Sequence, residues 1–198
     1  MSKGDPAPSG IHIGIDFGAR TAGNTVVCER RGSLFRFHRC AKDEDGDTWL
    51  RACVEELRPN SIYIDAPLSL PDAYFDRGTD HFFRMADRQS KGMSPMFLGG
   101  LTARAIALSK EWRKLGIAVH EAYPAALIRQ EWDMLKVISG RTIPKHKLRI
   151  MAGMVQLPPP DPADRHEADA WLCWVIGERH RSGRATIFGR EEEGLIIA

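Results

Sequence analysis

Three acidic residues stand where apolar scaffolding leaves little room for charge. Ile11-His12-Ile13-Gly14-Ile15-Asp16 and Ser61-Ile62-Tyr63-Ile64-Asp65 are β-branched runs that each end on an aspartate, and Asp169 falls on the apolar stripe of a late helical pattern. A buried carboxylate is costly unless it is paired or coordinates a metal. Acids drawn from segments this far apart in the chain point to one divalent-cation site. Mg²⁺ and Mn²⁺ are hard cations that take carboxylate oxygens and retain water, and hydrolysis of a phosphodiester is chemistry that such a site serves. Asp16, Asp65 and Asp169 are therefore candidate metal ligands. Glu121 is a candidate fourth acid, and His166, one turn before Asp169, a candidate proton-transfer group. Arg84, Arg88 and Lys145 are candidates for neutralising a phosphate. Each has a structural competitor. Asp16 before Phe17-Gly18 could open a turn, Asp65 before Ala66-Pro67 could cap a strand, and Arg84 and Arg88 could pair with Asp80 and Asp87.

Holding those residues together takes a sheet. Apolar alternation predicts strands at 11–17, 23–31 and 33–40, with Arg31-Gly32 as a hairpin turn. An acidic loop at 43–47 leads into a helix at 48–57, and strand 62–65 is stopped by Pro67. The stretch 71–100 is polar, rich in Gly and Pro, and too long for an ordinary connection, so it is expected to be functional or mobile. A helix at 102–115 ends at Gly116. A strand at 117–121, a helix from Pro124 to about 132, and a basic helical stretch at 145–155 follow. In the last helix Asp161 is the expected N-cap, with Pro162 at N1 and Asp164 at N3. Asp169, Leu172, Cys173 and Ile176 recur at i, i+3, i+4 and i+7 and predict its inward face, with Glu167, Trp171 and Trp174 turned away.

At 198 residues the chain fits one domain, expected at 11–198 after a short leader at 1–10. Its apolar fraction of 43% and charged fraction of 27% are those of an ordinary globular protein. A net charge of +2 does not by itself imply nucleic-acid binding, although Lys110, Arg113 and Lys114 form a local basic cluster. The four cysteines lack metal-binding spacing and are expected as reduced thiols. No segment is long and apolar enough to span a membrane, so the expected location is cytoplasmic.

The order βββαβαβα is that of the ribonuclease H-like fold, shared by actin-like domains. It predicts an α/β protein with a mixed five-stranded sheet, a three-stranded antiparallel meander plus two parallel strands, flanked by helices. "GIDFGAR", "YIDAPLSLP", "RMADRQ", "VHEAYP" and "HEADAWLCWVIG", in that order, resemble the family called domain of unknown function 429, a set of predicted ribonuclease H-like nucleases. The resemblance runs from about Ile11 to the closing "EEEGLII". It places Asp16, Asp65 and Asp169 on the family's acidic positions, with Glu121 as a fourth candidate. Arg84, Asp87 and Arg88 match its R-x-x-D-R segment, where Ala86 replaces the more usual cysteine. The resemblance implies a Mg²⁺- or Mn²⁺-dependent nuclease acting on DNA or RNA.

Two alternatives remain open. "IDFGARTAG" also resembles the phosphate-binding hairpin of the sugar kinase and actin superfamily. That superfamily binds nucleotide between two such domains, so this single domain would need to act as a homodimer. The other alternative keeps the acids but serves only as a binding module.

Overall fold

In a computed structural model, residues 10–132, 144–154 and 156–198 are described. Most of the expected leader lies outside them. The chain forms an α/β layer structure around one mixed sheet. Strands β1 (His12–Asp16), β2 (Val26–Arg31) and β3 (Leu34–Arg39) make an antiparallel meander. Helix α1 (Gly46–Leu57) follows, then β4 (Ser61–Asp65), parallel to β1. The segment 71–100 holds a 3₁₀ turn at Asp72–Phe75 and two short helices, α2 (Met85–Ser90) and α3 (Pro95–Leu98). Beyond it come α4 (Gly100–Lys114), β5 (Ala118–Ala122), α5 (Pro124–Trp132), α6 (Lys145–Met154) and α7 (Arg165–Arg181). A hairpin of β6 (Ile187–Arg190) and β7 (Gly194–Ile197) closes the chain.

The expectation of five strands is corrected to seven among the described residues, in the order β3-β2-β1-β4-β5-β7-β6. The last two escape the alternation rule for a physical reason. Each is four residues long, and Gly189 and Gly194 adopt φ of +90° and +121°, so no period-2 pattern develops. Strand β7 lies between β5 and β6 and buries the consecutive pair Ile196 and Ile197, which an alternating template does not reward.

Helices α1 and α4 cover one face of the sheet, over Ile13, Ile15, Ile62 and Ile64. Helix α7 covers the other, joined by Leu127 of α5 and Leu148 and Met151 of α6. Helix α1 starts two residues before its expected position because Asp45 caps it, Oδ1 accepting the amides of Asp47 at 3.0 Å and Thr48 at 2.9 Å. The segment 71–100 is tied to the hairpin that sequence reading missed. Buried Glu193, in the β6–β7 turn, accepts the amides of Asp72 at 3.0 Å and Met85 at 2.8 Å, and Gln89 accepts that of Gly189 at 2.7 Å.

Two corrections concern α7. Its N-cap is Asp164, not Asp161: Asp164 Oδ1 accepts the Glu167 amide at 3.1 Å, while Glu167 reaches back to the Ala163 amide at 2.6 Å. The helix is also covered all round from Ala170 to Gly177, so Trp171 and Trp174 are buried as fully as Leu172 and Cys173. Trp171 meets Phe35 edge-on and Trp174 stacks on His12 with ring centroids 4.4 Å apart. The α7 backbone presses directly on β1 at Gly14, where a Cβ would lie 2.2 Å from the Ala170 carbonyl oxygen and 2.3 Å from the Trp174 nitrogen. Only glycine allows that approach.

Candidate functional site

Asp16 and Asp65 are register partners in the parallel β1–β4 ladder, so their side chains leave the same face of the sheet at its C-terminal edge. That face is the one α7 covers, and α7 carries Asp169. All three residues are half-buried. Their electrostatics show that they form one group. Burial pushes the Asp65 carboxyl well above the usual carboxylate range, and the charges of Asp16, Asp169 and Glu121 push it further. Among the described residues no hydrogen bond reaches the Asp65 carboxylate. Asp16 is raised by burial, against the pull of His166, whose Nδ1 lies 2.7 Å from Asp16 Oδ2. Asp169 is raised by burial to about 6, against the pull of Arg165, whose Nε donates to both carboxylate oxygens at 2.7 Å.

His166 is 42% exposed and is raised chiefly by its hydrogen bond to Asp16. It therefore belongs with the acids, held by one ring nitrogen. The donor chemistry of Asp16, Asp65 and Asp169 fits a hard divalent cation. As the side chains stand, no group of three or more His, Cys, Asp or Glu among the described residues is arranged to hold a metal ion. Arg165 and His166 occupy two of the acids instead.

Glu121, Arg84 and Arg88 are committed to other partners, although Glu121 lines a cavity together with Asp65. Glu121 pairs with Ile64 across the β4–β5 ladder, so it leaves the opposite face from Asp65. Its carboxylate takes Arg84 Nη1 and Nη2, each at 2.7 Å, and the Leu68 amide at 2.9 Å. Arg84 is fully buried and gives its other bonds to Asp87 and Ser69. It neutralises internal carboxylates, which corrects the expectation that it meets a phosphate. Arg88, on α2, pairs with Asp80 and lies over the Phe83 ring at 4.8 Å. Lys145 is the first residue of α6, and its side chain lies outside the described residues. Glu121→Ala is expected to destabilise the fold by about 3–5 kcal/mol, because it strips Arg84 of one of two buried counter-charges. Urea denaturation at neutral pH measures it; a loss below about 1 kcal/mol would mean that Asp87 suffices.

Sequence reading missed Arg165. Its signal was an i, i+4 arginine–aspartate pair in a first turn, a spacing that places both side chains on one helical face. Beside Asp65 lies a cavity of about 70 Å³, lined also by Met93, Leu98, Glu121 and Tyr123. It has room for an ion and a few waters, not for a nucleotide. Two hollows of about 620 and 650 Å³ lie apart from Asp16, Asp65 and Asp169: one is lined by Arg113, His120, Glu121 and His180, the other by Arg51, Trp112 and Leu115. At the β1–β2 connection the Gly18 amide donates to Thr25 Oγ1 at 3.1 Å, so it is already used within the fold. The four cysteines are free and buried. No helix among the described residues is long and apolar enough to cross a membrane.

Comparison with protein-family models yields no match, and neither does comparison with curated proteins.

Proposed function

We propose that this chain is a divalent-metal-dependent hydrolase of phosphodiester bonds in nucleic acid, built on a ribonuclease H-like core. The observation that carries the reading is the placement of Asp16 and Asp65 side by side on adjacent parallel strands, with Asp169 brought over them by α7. Three like charges in one half-buried group are stable only with protons or a cation among them. Supporting the fold assignment are the antiparallel meander β1–β3 and the parallel β4 and β5, all five expected from the chain's pattern; the β6–β7 hairpin extends that core. The motif resemblance to domain of unknown function 429 points the same way.

Asp16, Asp65 and Asp169 would hold Mg²⁺ or Mn²⁺, which when bound supplies charge neutralisation at phosphate and a water of lowered pKa. The chain's own residues do the rest. Asp16 orients His166 through Nδ1 and keeps its imidazole protonated to higher pH. The protonated ring then serves as a proton donor to a leaving oxygen. The partial exposure of His166 supports a site that a polymer could reach from solvent. The test is cleavage of single-stranded, duplex and branched DNA and RNA with Mn²⁺ present, for the wild type and Asp16→Asn. Cleavage lost in the variant is expected. No cutting of any polynucleotide, or full activity in Asp16→Asn, would sink the reading.

A further inference from the structure

We propose that Arg165 is the phosphate-binding residue of the acidic site, held on Asp169 until a divalent cation takes its place. The inference rests on the reading of Asp16, Asp65 and Asp169 as cation ligands. Arg165 touches Asp169 through Nε alone, at 2.7 Å from each oxygen. Its side chain is 28% exposed, and among the described residues its two terminal amino groups make no hydrogen bond. An unused guanidinium fork at the rim of an acidic group matches the geometry of a phosphate. The nearby arginines are committed elsewhere: Arg84 to Glu121 and Asp87, Arg88 to Asp80, and Arg39 to Asp164 at 2.7 Å.

Its position in the helix supports the same conclusion. Arg165 is the first residue of α7, where the helix dipole disfavours a cation and favours an anion. A guanidinium is placed there against local preference, and Asp169 is what compensates it. Once a divalent cation claims Asp169, Arg165 loses its partner. It is left beside the helix N-terminus with all five donors available, where a phosphate recovers the lost contact. The protein thus carries its own counter-ion for the metal-free state, and the exchange couples cation entry to phosphate binding.

The experiment is calorimetry with two probes, Mn²⁺ alone and then a phosphorothioate-linked thymidine dinucleotide at saturating Mn²⁺. The proteins are the wild type, Arg165→Gln and Arg165→Lys, each checked for cooperative melting. Removing a charge-assisted competitor should tighten Mn²⁺ binding of Arg165→Gln about tenfold. The same variant should bind the dinucleotide about tenfold more weakly. Arg165→Lys keeps the charge but not the fork, so its Mn²⁺ affinity should stay near wild type while dinucleotide binding falls. Wild-type Mn²⁺ binding that is equal to or tighter than that of Arg165→Gln overturns the role of Arg165 and leaves the acidic site standing. Absence of Mn²⁺ binding in all three proteins overturns both.

Discussion

Replacing Asp65 by asparagine is expected to raise the melting temperature of the metal-free protein while removing Mn²⁺ binding and hydrolysis. Among the described residues no hydrogen bond satisfies Asp65, and the carboxylates of Asp16, Asp169 and Glu121 work against its ionisation. Removing its charge relieves the repulsion without changing the side-chain shape. A stabilisation of about 1–2 kcal/mol is expected, the scale seen when a strained functional group is neutralised. For a chain of this size that corresponds to a rise of about 2–8 °C. Activity should fall on the order of 10⁴-fold, as when one member of a catalytic set is lost. Thermal denaturation with and without Mn²⁺ separates the two effects: the wild type should be stabilised by the metal and Asp65→Asn should not. A variant that melts lower than wild type would make Asp65 a strand-end cap and nothing more.

The second large effect is on the acid side. His12 is lowered from 6.5 to about 4, mainly by burial under α7 and further by Arg181 and Arg30, against the Trp174 carbonyl that accepts from its Nε2. The unfolded chain therefore takes up a proton near pH 6.5 that the folded chain refuses until about pH 4. Stability from His12 is complete above 6.5 and is lost as pH falls towards 4, a difference of about 3 kcal/mol. His120, lowered to about 4 by burial and then by His180 and Arg113, acts in the same direction. Asp169 acts in the opposite one. Its folded value of about 6 exceeds 3.8, so its protonation favours the folded state as pH falls through 6. In the metal-free wild type these contributions oppose each other between pH 6.5 and 4. Asp169→Asn removes the compensation, and its stability should drop by about 3 kcal/mol more than that of the wild type across that window. Urea midpoints at several pH values decide it; parallel profiles for the two proteins would mean that the opposition does not exist.

Much of this was legible in the chain because two signals are local. The runs ending at Asp16 and Asp65 are short β-branched strands, and their parallel pairing follows once a helix lies between them. Helix α5 begins at Pro124, as proline at a first helical position suggests. What the chain hid is what depends on partners. Glu121 ends its expected strand as Asp16 and Asp65 end theirs, but its register with Ile64 turns it to the other face, and Arg84 reaches it from 37 residues away. The phase of α7 predicted an inward Asp169 with Glu167 turned away. It also put His166, one turn earlier, near the same face, where its ring meets Asp16; what the phase did not show is that Trp171 and Trp174 are buried too, because the helix is covered on all sides there. The cap at Asp164 was hidden by Asp161-Pro162, an equally good signal three residues earlier.

The contact at Gly14 acts as the pivot of a caliper. From it, β1 runs two residues to Asp16, about 6.6 Å at strand rise. From the facing Ala170, α7 runs four residues back to His166, about 6 Å at helical rise. The two arms have nearly equal length, and their tips meet in the 2.7 Å contact between His166 and Asp16. The jaw opening is gauged by two short rigid arms and one missing methyl group. Length changes in the loops beyond those arms leave the setting alone, whereas one residue added within either arm would throw the jaws out of alignment while the rest of the sheet stayed paired.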